Sequence, residues 1–174
     1  TMLTFDLVRL ERETGPVEIH EEVPKDADLF EGADLPLESA LNVDLTVSPL
    51  QSGELVVRGT LSGLLVRKCR RCLEPVEVPF KEEVDILFVP EDELEEGAEE
   101  DEGFKVYNPG SGKLDLGEPV REEVILAAPL YVECKPDCRG LCPQCGTNLN
   151  ESECDCAPME QDPRWDALRE LKTE

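Results

Sequence analysis

The sequence predicts an α+β fold: a mostly antiparallel, curved or barrel-like β-sheet, one or two helices, and a zinc-ribbon-like, cysteine-rich C-terminal segment. Three patterns carry that expectation. Apolar and polar residues alternate with a period of two through the first half, which gives strands one buried and one solvated face. A single stripe at helical spacing follows, around Val120 and Val124. Six of the eight cysteines then fall between Cys134 and Cys156.

Leu3, Phe5 and Leu7 open the alternation, and Leu41, Val43, Leu45 and Val47 repeat it between Asn42, Asp44, Thr46 and Ser48. Leu55 to Val66 reads as a long strand in which Gly59 and Gly63 are expected to mark bulges or bends. Val76, Val78 and Phe80 alternate again, as do Val84, Ile86 and Phe88, and the connectors Ser48-Pro49 and Gln51-Ser52-Gly53 fit hairpins. Between Glu91 and Glu102 stand nine acids and no base, a self-repelling run that reads as part of a mobile loop over about 91–112. Its deletion is expected to leave folding nearly unchanged; the functional alternative is a lure for a basic partner.

Pro119 suits a first helical turn, with Val120, Val124 and Ala127/Ala128 on one stripe, so Glu118 to Ala128 is predicted to be a helix. Near the end, Asp162 is a good N-cap, Pro163 suits the first turn, and Trp165, Leu168 and Leu171 recur at spacing three. They predict a short C-terminal helix whose Trp face docks on the body. The expected division is a β-rich core over 1–132 and a cysteine-rich tail over 133–174.

Charge and composition narrow the functions. Among the 174 residues, 17 Lys and Arg stand against 41 Asp and Glu, a net charge of −24. Such a surface repels a phosphate backbone, and aromatic residues at 5% are too few for a base-stacking platform. The longest uncharged apolar run, Val124 to Val132, falls well short of the roughly 20 residues that span a bilayer. Asp6 and Arg9 interrupt what would have to be an apolar signal core. A cytoplasmic location is therefore expected, without a membrane or small-molecule partner. Thiols are kept reduced there, so clustered cysteines read as metal sites before disulfides.

Cys142-Pro-Gln-Cys145-Gly146 places two sulfurs across a tight turn, and the glycine admits the backbone geometry that points amides at sulfur. Cys154 and Cys156 follow, and these four can close a tetrahedral thiolate shell around zinc. Cys134 and Cys138, with Cys69 and Cys72, make a second set of four, so two zinc ions are the economical partition. The alternative leaves Cys69 and Cys72 as reduced thiols, with all metal held by the six C-terminal cysteines, and spacing leaves this choice open. Arg67, Lys68, Arg70 and Arg71 around Cys69 would favour thiolates and offset the negative charge of a zinc tetrathiolate.

Eight sulfurs around two ions leave no open coordination position, and the one histidine, His20, reads as an ordinary strand or loop residue. No nucleophile–base set and no glycine-rich phosphate loop is present. The chain is therefore not expected to be an enzyme.

Cys69-Arg-Arg-Cys72-Leu73-Glu-Pro75, Arg121-Glu-Glu-Val-Ile-Leu-Ala-Ala-Pro129, the stretch Cys134 to Gly146 and Asp162-Pro-Arg-Trp165, in this order, resemble the YceD family over roughly 41–171. That resemblance implies a bacterial protein with chloroplast relatives, linked to accumulation of large-subunit ribosomal RNA, and it carries over no catalytic residue. With a charge of −24, the expected partner is a basic ribosomal protein or a ribosome assembly factor. One alternative is an RNA-binding zinc module, in which Lys135, Arg139 and the Arg67, Lys68, Arg70 and Arg71 cluster form a local patch. Another is a redox sensor that releases zinc on thiol oxidation.

Overall fold

Leu41, Val43, Leu45 and Val47 are at most 2% exposed, whereas Asn42 and Asp44 between them face solvent. This two-residue period fixes which face of the strand is covered. The computed structural model describes residues 3–13, 15–94 and 103–157. In chain order these residues form β1 (Thr4–Asp6), α1 (Val8–Arg12), β2 (Val17–Val23), β3 (Leu41–Pro49), β4 (Leu55–Lys68) and β5 (Pro75–Pro90). Then come β6 (Phe104–Tyr107), β7 (Lys113–Asp115) and α2 (Gly117–Ala127).

The main sheet has the order β2-β3-β4-β5-β6, and β1 pairs with β7 in a separate ribbon. All neighbours in the main sheet are antiparallel except β5 and β6, which run parallel. The sheet is open among the described residues, with β2 and β6 as its ends, so the barrel form of the expectation is not what pairs here. One apolar cluster joins the inner face to Phe5, Phe30, Leu37, Leu114 and Leu116, and to Val120 and Val124 of α2. Each such side chain, fully buried, contributes about 1.5–3 kcal/mol. On the solvent face, His20 of β2 bonds Asp44 of β3 at 2.8 Å, and that carboxylate holds the imidazole pKa above its usual value.

The predicted helix at Glu118 to Ala128 is α2, displaced by one residue. The two predicted strands around Val78 and Ile86 are one strand, β5, because β4 pairs with it without interruption from Leu55↔Phe88 to Lys68↔Pro75. This register excludes a bulge at Gly59 and Gly63, since no residue is inserted into either ladder of β4. Close approach is the reason for glycine instead. A Cβ at Gly59 would lie 2.0 Å from the Asp44 carbonyl oxygen and 2.8 Å from Leu45 Cα. Gly59→Ala is expected to lower stability by about 3 kcal/mol, read as a fall in denaturant midpoint without a change in slope.

The reading of a mobile loop over about 91–112 needs correction where Phe104–Tyr107 forms a strand. Glu91–Glu93 form a 3₁₀ turn, Pro109–Ser111 form another, and Phe104–Tyr107 is strand β6. β6 lines up Leu87↔Phe104 through Pro90↔Tyr107, and Tyr107 Oη donates to the Gly53 carbonyl at 2.7 Å. A parallel neighbour needs a long return connection, usually a dozen or more residues. Residues 91–103 link the two strands, so their length is expected to matter to the pairing more than their charge does. Replacing residues 95–102 by Gly and Ser at constant length is expected to leave the melting temperature unchanged, whereas deleting them should lower it by releasing β6. Residues 95–102 themselves and the predicted helix at Asp162, Pro163, Trp165, Leu168 and Leu171 lie outside the described residues.

Candidate metal centres

The β4–β5 hairpin closes over Cys69–Glu74, so Cys69 and Cys72 stand at the tip of the longest strand pair. Cys69 also bridges Val132 in parallel, Arg70 N donates to the Val132 carbonyl at 2.9 Å, and Cys134 N donates to Cys69 Sγ at 3.4 Å. These contacts bring the chain after α2 against the hairpin tip. Cys69, Cys72, Cys134 and Cys138 gather there with their sulfurs within 4.8 Å of one another. Cys142, Cys145, Cys154 and Cys156 form a second group by the same measure.

The two C-x-x-C turns share one backbone pattern. Leu73 N donates to the Cys69 carbonyl and Gly146 N to the Cys142 carbonyl, both at 2.9 Å; Cys69 N reaches Glu74 O and Cys142 N reaches Thr147 O, both at 2.8 Å. The residue after each second cysteine has positive φ, 74° at Gly146 and 63° at Leu73. Glycine takes that conformation freely, but leucine holds it at a cost. The first cysteine of each turn accepts the amides two and three residues on, and the second accepts the amide two residues on. Directed amides favour thiolate. The Cys72 and Arg71 amides bring Cys69 down to about 6, and the Thr147 hydroxyl and amide bring Cys145 down to about 6. Within each group the thiols also oppose one another. Burial drives Cys134 up to about 12, and its hydrogen bond with Cys145 drives Cys156 up to about 12.

All eight cysteines are free of disulfides. Cys69 and Cys138 sulfurs stand 3.8 Å apart, and Cys72 and Cys134 sulfurs 3.6 Å apart. Four sulfurs at about 2.3 Å from a tetrahedral ion lie about 3.8 Å from one another, which these two separations of the first group match, and the sulfurs of the second group lie within 4.8 Å of one another. The described residues thus collect the cysteines by the four-plus-four partition, with Cys69 and Cys72 joined to Cys134 and Cys138.

The groups are tied to each other. Leu141 N donates to the Arg71 carbonyl at 3.0 Å, and Asn150 Nδ2 donates to Cys138 Sγ at 3.4 Å while its Oδ1 accepts from Arg139 N at 2.9 Å. Asn150 was not legible as a site residue. Its only sequence signal is its place in an Asn-x-Asn pair inside the loop between Cys145 and Cys154.

The basic residues divide. Arg67 is largely buried against Asp34, Arg70 is held by Glu133, and Arg139 approaches Glu153 at 4.0 Å. Lys68, Arg71 and Lys135 are exposed and make no ion pair among the described residues.

A family model described as large ribosomal RNA subunit accumulation protein YceD matches residues 57–172, a span that takes in both cysteine groups and α2. The chain belongs to the YceD family. Uncharacterized proteins of Mycobacterium tuberculosis and Mycobacterium bovis are each 36% identical to it over 172 residues, 97% of this chain and 81% of theirs. A YCED homolog 1 of Arabidopsis thaliana, named chloroplastic and a large ribosomal RNA subunit accumulation protein, is 32% identical over 108 residues, 57% of this chain and 33% of its own. No solved structure matches. The YceD match begins inside β4 and spans most of the long hairpin, α2 and both cysteine groups, while β1, α1, β2 and β3 precede it. No helix among the described residues is long and apolar enough to cross a membrane.

Proposed function

We propose that this YceD-family protein is a non-catalytic zinc protein that supports accumulation of large-subunit ribosomal RNA by holding a basic ribosomal protein or assembly factor. The observation that carries the reading is the collection of all eight cysteines into two groups of four, each with its sulfurs within 4.8 Å of one another. Zinc bound there would supply cross-linking and no reactive position, because four sulfurs complete its usual structural shell. Cys69, Cys72, Cys134 and Cys138 would stitch the β-rich core to the tail, and Cys142, Cys145, Cys154 and Cys156 would fold the tail on itself in a zinc-ribbon-like manner. The cytoplasm is the compartment that suits this work in a bacterium.

A protein partner is favoured over RNA by charge. Against the net −24, three of the six basic residues around the groups are already engaged by Asp34, Glu133 and Glu153. The RNA reading keeps Lys68, Arg71 and Lys135 as its only unpaired cations. A redox-sensor role has less support, since Cys69, Cys72, Cys138 and Cys142 are buried from an oxidant. Affinity purification of the intact chain from the cells that make it, followed by nuclease treatment, tests the proposal. A basic ribosomal or assembly protein should persist after nuclease. Loss of every ribosomal component on nuclease treatment would replace this reading with the RNA one.

A further inference from the structure

A donor from outside its own turns reaches the first cysteine group. The amides that meet the sulfurs of Cys69 and Cys72 belong to Arg71, Cys72, Glu74 and Cys134, all within that group's two ligand-bearing segments. Cys138 Sγ takes the Gly140 amide from the same segment, but it also accepts from Asn150 Nδ2 at 3.4 Å. Asn150 lies in the loop between Cys145 and Cys154, two cysteines of the second group. Cys138 is only 1% exposed, so water does not replace that donor.

The neighbours of Asn150 fix which way its amide points. Arg139 N can only donate, and it bonds Oδ1 at 2.9 Å, so the nitrogen end faces the sulfur. One N–H of Nδ2 goes to Asn148 Oδ1 at 2.9 Å, which leaves the other for Cys138. Asn148 Oδ1 also accepts from Asn150 N at 3.1 Å, and Leu149 N donates to the Gly140 carbonyl at 2.9 Å. The loop of the second group is therefore laid along the segment that carries Cys138. Leu141 N, one residue before Cys142, closes the same seam on the Arg71 carbonyl.

We propose that Asn150 is a positioning residue of the first metal centre, supplied by the loop of the second, and that its N–H on Cys138 couples the two ions. This rests on the zinc reading above and says how the two centres depend on each other. A tetrathiolate shell concentrates negative charge on its sulfurs. An N–H aimed at one of them disperses that charge and fixes the direction of the sulfur. The loop that carries the N–H is tethered at both ends by Cys145 and Cys154, so an ion in the second group orders it. Loading the second group should therefore tighten the first, and by linkage loading the first tightens the second by the same factor.

The test uses Asn150→Asp in the full chain. Aspartate keeps the size of the side chain and the acceptor for Arg139 N, but it has no N–H for the sulfur. Cadmium-loaded protein reports the two centres separately by NMR, its two resonances being assigned by which of them Cys69→Ser and Cys142→Ser displace most. In Asn150→Asp the resonance of the first centre should move while that of the second keeps its wild-type position. A side chain that merely caps Arg139 N would move neither, because aspartate still caps it. With zinc, release from the first centre to a chromophoric chelator should become about 10–100-fold faster. The acceleration that Cys69→Ser causes in release from the second centre should shrink when Asn150→Asp is already present. Asn150→Ala, which adds no charge, should change both quantities in the same direction and decides the matter if the aspartate variant does not load. An unmoved first resonance with wild-type release in either loaded variant would overturn the proposal and leave two zinc ions, and the function proposed above, in place. Equal acceleration by Cys69→Ser with and without the Asn150 substitution would overturn the coupling. Wild-type protein that takes up no zinc would instead sink the reading on which the proposal rests.

Discussion

Protein prepared without chelator is expected to carry two zinc ions per chain, and stripping them should unfold the segment after Val132 while the five-stranded sheet remains folded. The asymmetry follows from what holds each part. The sheet has a continuous apolar cluster of Leu, Val, Ile and Phe side chains that owes nothing to metal. The tail has almost none among its described residues: around the first group only Cys69, Cys72 and Cys138 are buried, with Val76 and Leu141 packed against them. Ordering a backbone costs about 1–2 kcal/mol per residue, which so few apolar contacts do not offset. A structural zinc ion supplies about 10–16 kcal/mol of apparent binding energy at neutral pH, enough to decide whether such a segment folds.

Cys142→Ser should reduce the metal content from two ions towards one and loosen the tail. Cys69→Ser is more informative, because Cys69 lies on the sheet, 69 residues before Cys138. It should also cost an ion, and through Leu141 N on Arg71 O and Asn150 on Cys138 it should speed zinc loss from the second group. Zinc release can be followed with a chromophoric chelator, and tail order by amide hydrogen exchange. A content near one ion in the wild type, or an unchanged content in Cys69→Ser, would refute the four-plus-four assignment of ligands.

What could be read from the sequence depended on how local its cause was. β3 was legible because Leu41, Val43, Leu45 and Val47 alternate without a break, and α2 because Pro119, Val120 and Val124 place a start and a stripe. β2 was not, since Glu21 and Glu22 interrupt the pattern of Val17 and Ile19 that resumes at Val23. β6 was hidden for another reason: its parallel pairing with β5 depends on a connection that leaves no periodic signature. Gly59 advertised an irregularity but not its kind, which is an approach of neighbouring backbone and not an inserted residue. The Cys142 and Cys145 turn announced itself through Gly146. The equivalent turn at Cys69 and Cys72 was masked by Leu73, which holds the same left-handed backbone without being glycine. How the cysteines group was beyond spacing altogether, because the fold, through the Cys69 to Val132 bridge, decides which sulfurs meet.

Cells that lack this protein are expected to show less large-subunit ribosomal RNA relative to small-subunit RNA, and a charge-reversed protein should restore it. The deficit follows from membership of a family described by that RNA's accumulation. The restoration follows from where the charges sit. Arg67 and Arg70 are unsuitable for reversal: Arg67 is tucked against Asp34 with its Nε buried and unpartnered, and Arg70 holds Glu133 beside the first cysteine group. Reversing either would place like charges together and confound function with folding. Lys68, Arg71 and Lys135 are exposed and unpaired among the described residues, so Lys68→Glu, Arg71→Glu and Lys135→Glu change the local field by six charge units with little effect on structure. An RNA contact at this spot would lose three cations and gain three anions, a change that abolishes phosphate binding at physiological salt. A surface that holds a basic protein would tolerate it, or bind slightly more tightly. The triple variant is therefore expected to load two zinc ions, melt as the wild type does and return the RNA ratio to its normal value. A folded, metal-loaded triple variant that leaves the deficit in place would transfer the function to RNA contact at the hairpin tip.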